Sequence, residues 1–319
     1  MEKSLMTTSQ SEEIKEKKRY PFIVDLFVRL VKGKPLGTIG GIIVLMLVVV
    51  GSFANFLAPY GMNEIILVDT LDPPSLKHLL GTDNVGRDLL SRIIYGARIS
   101  MFVGIGAASL STLIATLIGL ISGYFGGKVD IVLQRFVDAM MCFPSLVFYL
   151  TVMAIIGPGL LKVIIVLGIH SGMSRSRVIR GAVIAIRQNV YLEATRAIGA
   201  SHIRSILKHV LPNVLAPIIT IFAVASGYMI LAEATLSFLG FGVPPPAPSW
   251  GGMLSHAGRK YMYDAPWMAI FPGAALGIVV FGMNMLGDAL RDLLDPRLRG
   301  GLGRYGKASL RVGQSDKEK

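Results

Sequence analysis

Two carboxylates stand in stretches of this sequence that are otherwise almost free of charge, Asp138 and Glu233. An ionisable group inside an apolar run is the residue type through which a carrier binds a cation or relays a proton. Asp138 follows Arg135 by three residues, so on a helix the two side chains meet and form a local ion pair. Such a pair, anchoring a helix end, competes with the relay reading. Glu233 lies toward the far end of its run, where it either faces a water-filled path or supports an adjoining loop. Asn284 and His170 are lone polar groups of the kind that hydrogen-bond between helices. Other chemistry is missing. The Gly-Lys pairs at Gly33, Gly127 and Gly306 are followed by Pro, Val and Ala, so none forms a phosphate-cradling loop. The histidines are isolated, without metal-ligand spacing, and no G-x-S-x-G nucleophile turn occurs. Any work this chain does must draw on an ion gradient or on a partner.

A polar stretch rich in small and basic residues, Glu193–Pro212, EATRAIGASHIRSILKHVLP, lies between two long apolar runs. A short helix over NVYLEATRAI is expected to end at Gly199, the residue type that closes helices in the left-handed conformation. Ser201 can cap a second helix, HIRSILKHV, and Pro212 stops or kinks it into the next apolar run. The small residues Ala194, Thr195 and Ala197 permit close docking into a groove of another protein, with Glu193 and Arg196 fixing orientation by charge. A competing reading lays the first helix on lipid headgroups, but its ATRA stretch offers little area to bury.

The elements that position these residues follow from composition. The chain is 52% hydrophobic and 16% charged, with mean hydropathy +0.59. Soluble domains carry about 25% charge, so the deficit points to a membrane. Apolar runs long enough to span occur at 36–57, 99–125, 136–156, 160–173, 214–239 and 267–286. The fourth is the weakest, and Gly157–Pro158–Gly159 separates it from the third. Six spans place both termini on one side. The cations of the leader, of the 126–135 loop, of the Arg175–Lys208 segment and of the tail then share one face. By the positive-inside rule that face is cytoplasmic. The net charge of +12 is therefore topological, and nucleic-acid binding is set aside. Gly119, Gly123 and Gly127 recur every fourth residue, as in a close helix seam. The single cysteine, Cys142, is expected to pack as a small apolar residue.

At EATRAIGA…LP the sequence resembles the EAA signature of the permease subunits of ABC importers. The pattern is E-A-A, three residues, G, then L-P at the start of a span. Glu193, Ala194, Gly199, Leu211 and Pro212 match it; Thr195 replaces an Ala, and His209 stands where Ile is usual. GTDNVGRDLLSRIIYGARIS (81–100), EATLSFLGFGVPPPAPSWGGML (233–254) and GDALRDLLDPRLRG (287–300) resemble the dipeptide, oligopeptide and nickel permease group, second or C-type subunit. The resemblance runs from about Lys34 to Gly300.

The resemblance implies an all-α integral membrane protein with the type I ABC importer permease fold, six spans and cytoplasmic termini. It divides the chain into a leader (1–35), a first helix with an outer segment (36–98), a core permease domain (99–290) with a coupling loop at about 175–212, and a tail (291–319). The implied partners are a homologous permease in a heterodimer, two cytoplasmic ATPases, an extracytoplasmic solute-binding protein and the lipid of the cell's inner membrane. The subunit itself binds no cofactor and is no enzyme; its partners use ATP and Mg. Glu193, Ala194, Thr195, Arg196, Gly199, Ala200, Ser201, Leu211 and Pro212 would form the ATPase-coupling site. Span position suggests Phe143, Tyr149, Tyr228, Glu233 and Asn284 for the solute path. Arg87, Asp88, Pro245 and Trp250 are expected to meet the binding protein. Peptide is the expected solute, with nickel chelates and oligosaccharides on the same scaffold. The rival reading is a self-sufficient ion-coupled carrier or channel using Asp138 or Glu233.

Overall fold

The computed structural model of the protein describes residues 22–294. Most of the leader and of the tail, including the DPRLR stretch, lies outside the described residues. The helices are α1 (Phe22–Gly33), α2 (Pro35–Ser52), the single turn α3 (Ala54–Leu57), α4 (Leu89–Phe125), α5 (Gly127–Met141), α6 (Ser145–Ile156) and α7 (Leu160–Arg187). They continue as α8 (Val190–Ala197), α9 (His202–Ser205), α10 (Leu211–Asn213), α11 (Leu215–Phe238), α12 (Trp250–Leu254), α13 (His256–Lys260) and α14 (Trp267–Leu294). A π-helical turn, Ile206–Val210, joins α9 to α10.

Four helices, α2, α4, α11 and α14, are long and apolar enough to cross a membrane. The pair α5 and α6, bent by 84°, is apolar enough to form a fifth, broken span. The expected continuous third span is thus broken. Pro144 has no N–H and disfavours helical backbone at Phe143, so the chain turns a corner at Cys142–Pro144. Cys142 lies exposed at that corner and not packed in the core as expected. α7 extends well past the expected fourth run. No breaker interrupts it between Leu160 and Arg187, so Arg175, Arg177, Arg180 and Arg187 belong to a helix and not to a loop. Its 28 residues reach about 42 Å, beyond a hydrocarbon core of ~30 Å. α4 likewise begins ten residues before the apolar run, at Leu89, where Asp88 caps it by accepting from Ser91 N at 2.8 Å.

α4 and α7 run parallel along their length. A Cβ on Gly106 would meet Ile164, one on Gly168 would meet Leu110, and one on Gly172 would meet Ile114. Further along, a Cβ on Gly119 would fall 2.6 Å from Ile179 and one on Gly123 would fall 2.8 Å from Val183. The glycine spacing read from the sequence is therefore a seam within the chain, at Gly119 and Gly123. Gly127 has no neighbour within 4 Å and takes no part. Asp130 on α5 fastens the same region. It accepts two bonds from Arg180, at 2.6 and 2.5 Å, and one from Ser122.

Around this pair stand α11, α14 and α2. Gly227 of α11 faces Met283, Gly287 of α14 faces Val224, and Gly40 of α2 faces the backbone of α14. Lys34 bonds Asp292 at 2.6 Å, which brings the start of α2 to the last turn of α14. The bundle thus has one end with α8–α10 and both described chain ends. The other end carries the long loops 58–88 and 239–266.

Candidate coupling element and solute path

The polar stretch folds as its residues dictate. α8 ends before Gly199, whose φ of +84° is the left-handed conformation that glycine adopts without strain. Ser201 caps α9, its Oγ accepting from Arg204 N at 3.3 Å. Ahead of Pro212 the helix widens, and Leu211 N–H reaches Ile206 O, five residues back. A proline in a regular helix would press its ring on the carbonyl four residues earlier, and the π turn relieves that contact. A second break at Val214 then leads into α11.

One side of this element is keyed into the bundle. Leu192, Val210 and Val214 are fully buried in a cluster with Leu120, Tyr124, Ile179 and Val183, the ends of α4 and α7. His202 Nδ1 lies 3.1 Å from Tyr124 OH, and its ring packs on Tyr124 and Phe125. The opposite side is uncovered. Glu193, Ala194, Ala197, Gly199, Ser201 and Pro212 are exposed, while Thr195, Ala200 and Leu211 are half-buried. Thr195 Oγ1 is spent on Tyr191 O at 2.7 Å. The backbone carbonyl of His209 accepts from Asn213 Nδ2 at 2.6 Å. The side chain of Arg196 lies outside the description. The structure adds what the small-residue reading passed over. Val190, Ile198, Ile203 and Leu207 are exposed beside the small residues, so the free face is aliphatic. The joints Tyr124, Leu192 and His202 were also missed; only their nearness to the turn signals hinted at them.

The path residues divide. Tyr149 of α6 is buried, with its ring edge on His170. Tyr228 of α11 is partly open, and its hydroxyl sits 3.4 Å from Ser145 Oγ. The Arg175 guanidinium lies 5.7 Å from the centre of the Tyr228 ring and donates to Ser171 Oγ at 3.0 Å. α6, α7 and α11 therefore bring together two expected residues and an arginine that the sequence placed in a loop. Phe143 is exposed at the α5–α6 corner, and Asn284 is exposed on α14. Glu233 stands apart. It is fully buried, its Oε1 accepts from Ser237 Oγ at 2.5 Å, and that oxygen in turn accepts from Val243 N. Of its two sequence readings, the support of the loop after α11 is the one the geometry favours. Asp138 meets Arg135 at 3.5 Å, as the spacing implied, and also bonds Arg177 on α7.

At the long-loop end two expected contact residues face inward. Asp88 is buried, holding Ser91 and the His78 ring (Nδ1 at 3.0 Å). His78 Nε2 lies 3.3 Å from Asp69, and the Lys77 ammonium beside Asp69 holds that carboxyl below its ordinary value. Trp250 is buried on Gly96 and donates to Ile93 O at 3.0 Å. Burial of large apolar area with a satisfied indole N–H makes it core. Arg87 bonds Asp83 at 2.7 Å at the edge of a cavity of about 440 Å³, and Pro245 is exposed on its rim.

Among the described residues, a bundle of helices with several apolar enough to span fits a multi-pass membrane protein. The chain belongs to the family of binding-protein-dependent transport system inner membrane components, which matches residues 115–300. It is accordingly a permease subunit of an ABC importer in the cell membrane. It is 40% identical to a putative peptide transport system permease protein of Brucella suis over 261 residues, 82% of this chain and 88% of that one. A dipeptide transport system permease protein of Alkalihalophilus pseudofirmus is 39% identical over 86% of this chain and 90% of its own. A glutathione transport system permease protein of Pectobacterium atrosepticum is 38% identical over 81% and 86%. Subunits of this family work with ATPase and solute-binding partners.

Proposed function

We propose that this chain forms one half of the membrane path of an ATP-driven peptide importer, paired with a homologous permease in a pseudo-twofold heterodimer. The names of its relatives support the solute class. Six crossings, the bent pair and α7 included, put both chain ends in the cytoplasm. The cations at the α8 end, among them Lys34, Lys128, Arg187, Arg204 and Lys208, agree with that orientation. Two ATPases, which use ATP and Mg, dock at α8–α9 on the cytoplasmic side. The binding protein delivers solute at the long loops, where the exposed Pro244–Pro246 and the Arg87 rim are available. The residues 99–290 act as the moving core, with 36–98 holding its edge. The subunit holds no cofactor and hydrolyses nothing.

The observation that carries this reading is the two-sided coupling element. Its buried side joins α4, α7 and α11 at Leu192, Val210 and Val214, and its free side offers aliphatic and small residues to a cleft. Closure of the ATPases therefore displaces three helices together, and the path alternates between its two faces. The ion-coupled alternative loses its groups, because Asp138 is paired with two arginines and Glu233 holds a loop.

Purified with its neighbours, the chain is expected to bring ATPase subunits whose turnover rises with loaded binding protein. Leu192→Ala removes the buried key and costs about 2–5 kcal/mol locally. Its complex should assemble and hydrolyse ATP while peptide uptake falls at least tenfold. Uptake by this chain alone, collapsed by an uncoupler, would overturn the proposal in favour of the ion-coupled carrier.

A further inference from the structure

The Arg175 guanidinium occupies an unusual place. Arg175 is fifteen residues from the start of α7, about 22 Å along the helix, and its partner Tyr228 is ten residues, about 15 Å, from the end of α11. In a slab of ~30 Å that puts Tyr228 near the middle and Arg175 within the third next to the α8 end. Arginine at that depth is costly unless it is paired or faces water. Arg177 and Arg180, one turn or so further on, are paired with Asp138 and Asp130. Arg175 is bonded to a hydroxyl and stacked near a ring, and among the described residues no carboxylate reaches it.

Arg175 also lines a cavity of about 420 Å³ between α7, α11 and α14, together with Thr220, Ile221, Val224 and Arg291. This volume suits a small molecule or the end of a short peptide. Its charged lining is two arginines and no acid. Arg291 is exposed in the last turn of α14, at the α8 end, so the cavity is cationic from its mouth to its depth. A planar guanidinium in a site walled largely by apolar side chains matches a carboxylate with two parallel hydrogen bonds.

We infer that this cavity is a carboxylate-binding station in the solute path, in which Arg175 receives the C-terminal carboxylate of a peptide in transit. This rests on the reading of the chain as a peptide permease and deepens it. The carboxylate supplies the counter-charge that the protein leaves out, and the Tyr228 ring lies beside the Arg175 guanidinium that would hold it. Arg291 draws the released anion toward the cytoplasmic mouth. The station thus favours solutes with a free carboxylate independently of what the binding protein selects.

The test uses the assembled complex in detergent, without binding protein. Phenylglyoxal labelling of Arg175 is followed by peptide mass spectrometry in the presence of tri-alanine or its C-terminal amide. Tri-alanine at millimolar concentration should slow labelling of Arg175 at least threefold, and the amide should not. In proteoliposomes with the binding protein, Arg175→Gln should lower tri-alanine uptake about tenfold, with Arg175→Lys in between, while ATP turnover stimulated by loaded binding protein persists. Equal protection by acid and amide, or none, overturns the inference. So does failure of Arg175 to label at all, or loss of the second permease from the Arg175→Gln complex, since either assigns the arginine to a carboxylate of that partner. Loss of stimulated ATP turnover in the unmodified complex would instead count against the importer reading itself.

Discussion

Uptake falls to background in a complex carrying Glu193→Ala with Gly199→Asp, while the subunit still inserts and is recovered from the membrane at normal yield. The separation of the two outcomes follows from where these residues sit. Both are exposed on the free side of the coupling element, and a Cβ on Gly199 meets no atom within 4 Å. The substitution therefore creates no clash inside the chain. It costs about 1–2 kcal/mol of left-handed backbone strain, less for Asp than for most residues, and plants a charge on an aliphatic face. Glu193→Ala removes the nearest fixed charge for orienting a partner. The buried key of Leu192, Val210 and Val214 is untouched, so the bundle stays folded. Gly199→Asn, which tolerates the same φ without charge, should retain most of the uptake. Normal ATP-driven uptake by the double variant in vesicles would remove α8 from the coupling role.

Gly119→Leu has the opposite signature: the folded protein itself is lost. A Cβ at this position would lie 2.6 Å from Ile179 Cβ and 2.9 Å from the Arg180 backbone nitrogen, so a leucine must push α4 and α7 apart. Overpacking by even a methylene or two costs about 1–3 kcal/mol, and leucine adds more. The displacement would also strain the Arg180–Asp130 pair. The unfolding midpoint of purified protein should drop by about 5 °C or more. Gly181→Leu is the control. It lies on α7 two residues from Ile179, with nothing within 4 Å, and the same side chain there should leave the midpoint unchanged or a little higher, because leucine favours helix over glycine. Equal midpoints for the two variants would mean that the seam gives way at little cost.

These two glycines also show how far the sequence could be read. Gly199 was legible because a turn glycine announces itself between two short helical patterns, followed by a capping serine and a proline. Gly119 and Gly123 were legible only as a repeat. Whether their bare face met another chain or this one depended on α7, whose apolar run looked too short to be a long helix. Its arginines made it read as a loop, and the partners that neutralise them, Asp130 and Asp138, sit on α5, some forty to fifty residues away in sequence. Pairings between distant elements leave no local period. Pro144 was in plain view, yet a run of apolar residues on both sides of it masked the corner. At the long-loop end the same limit applied. Asp88 and Trp250 looked like surface groups because they stand among polar and proline-rich residues, while their burial is decided by Ser91, His78, Gly96 and Ile93. The coupling element was therefore readable in outline, its joints were not, and Arg175 was assigned to the wrong element altogether.

The exposed Val190, Ile198, Ile203 and Leu207 have a consequence for biosynthesis. A patch of aliphatic side chains in water invites association with whatever apolar surface is near. With the ATPase docked at α8–α9 as proposed, a copy of this subunit made without it would display that patch to the cytoplasm for as long as it stays unassembled. On the coupling role proposed above, production in step with its partners, or prompt removal of orphan copies, would be a requirement of the same face.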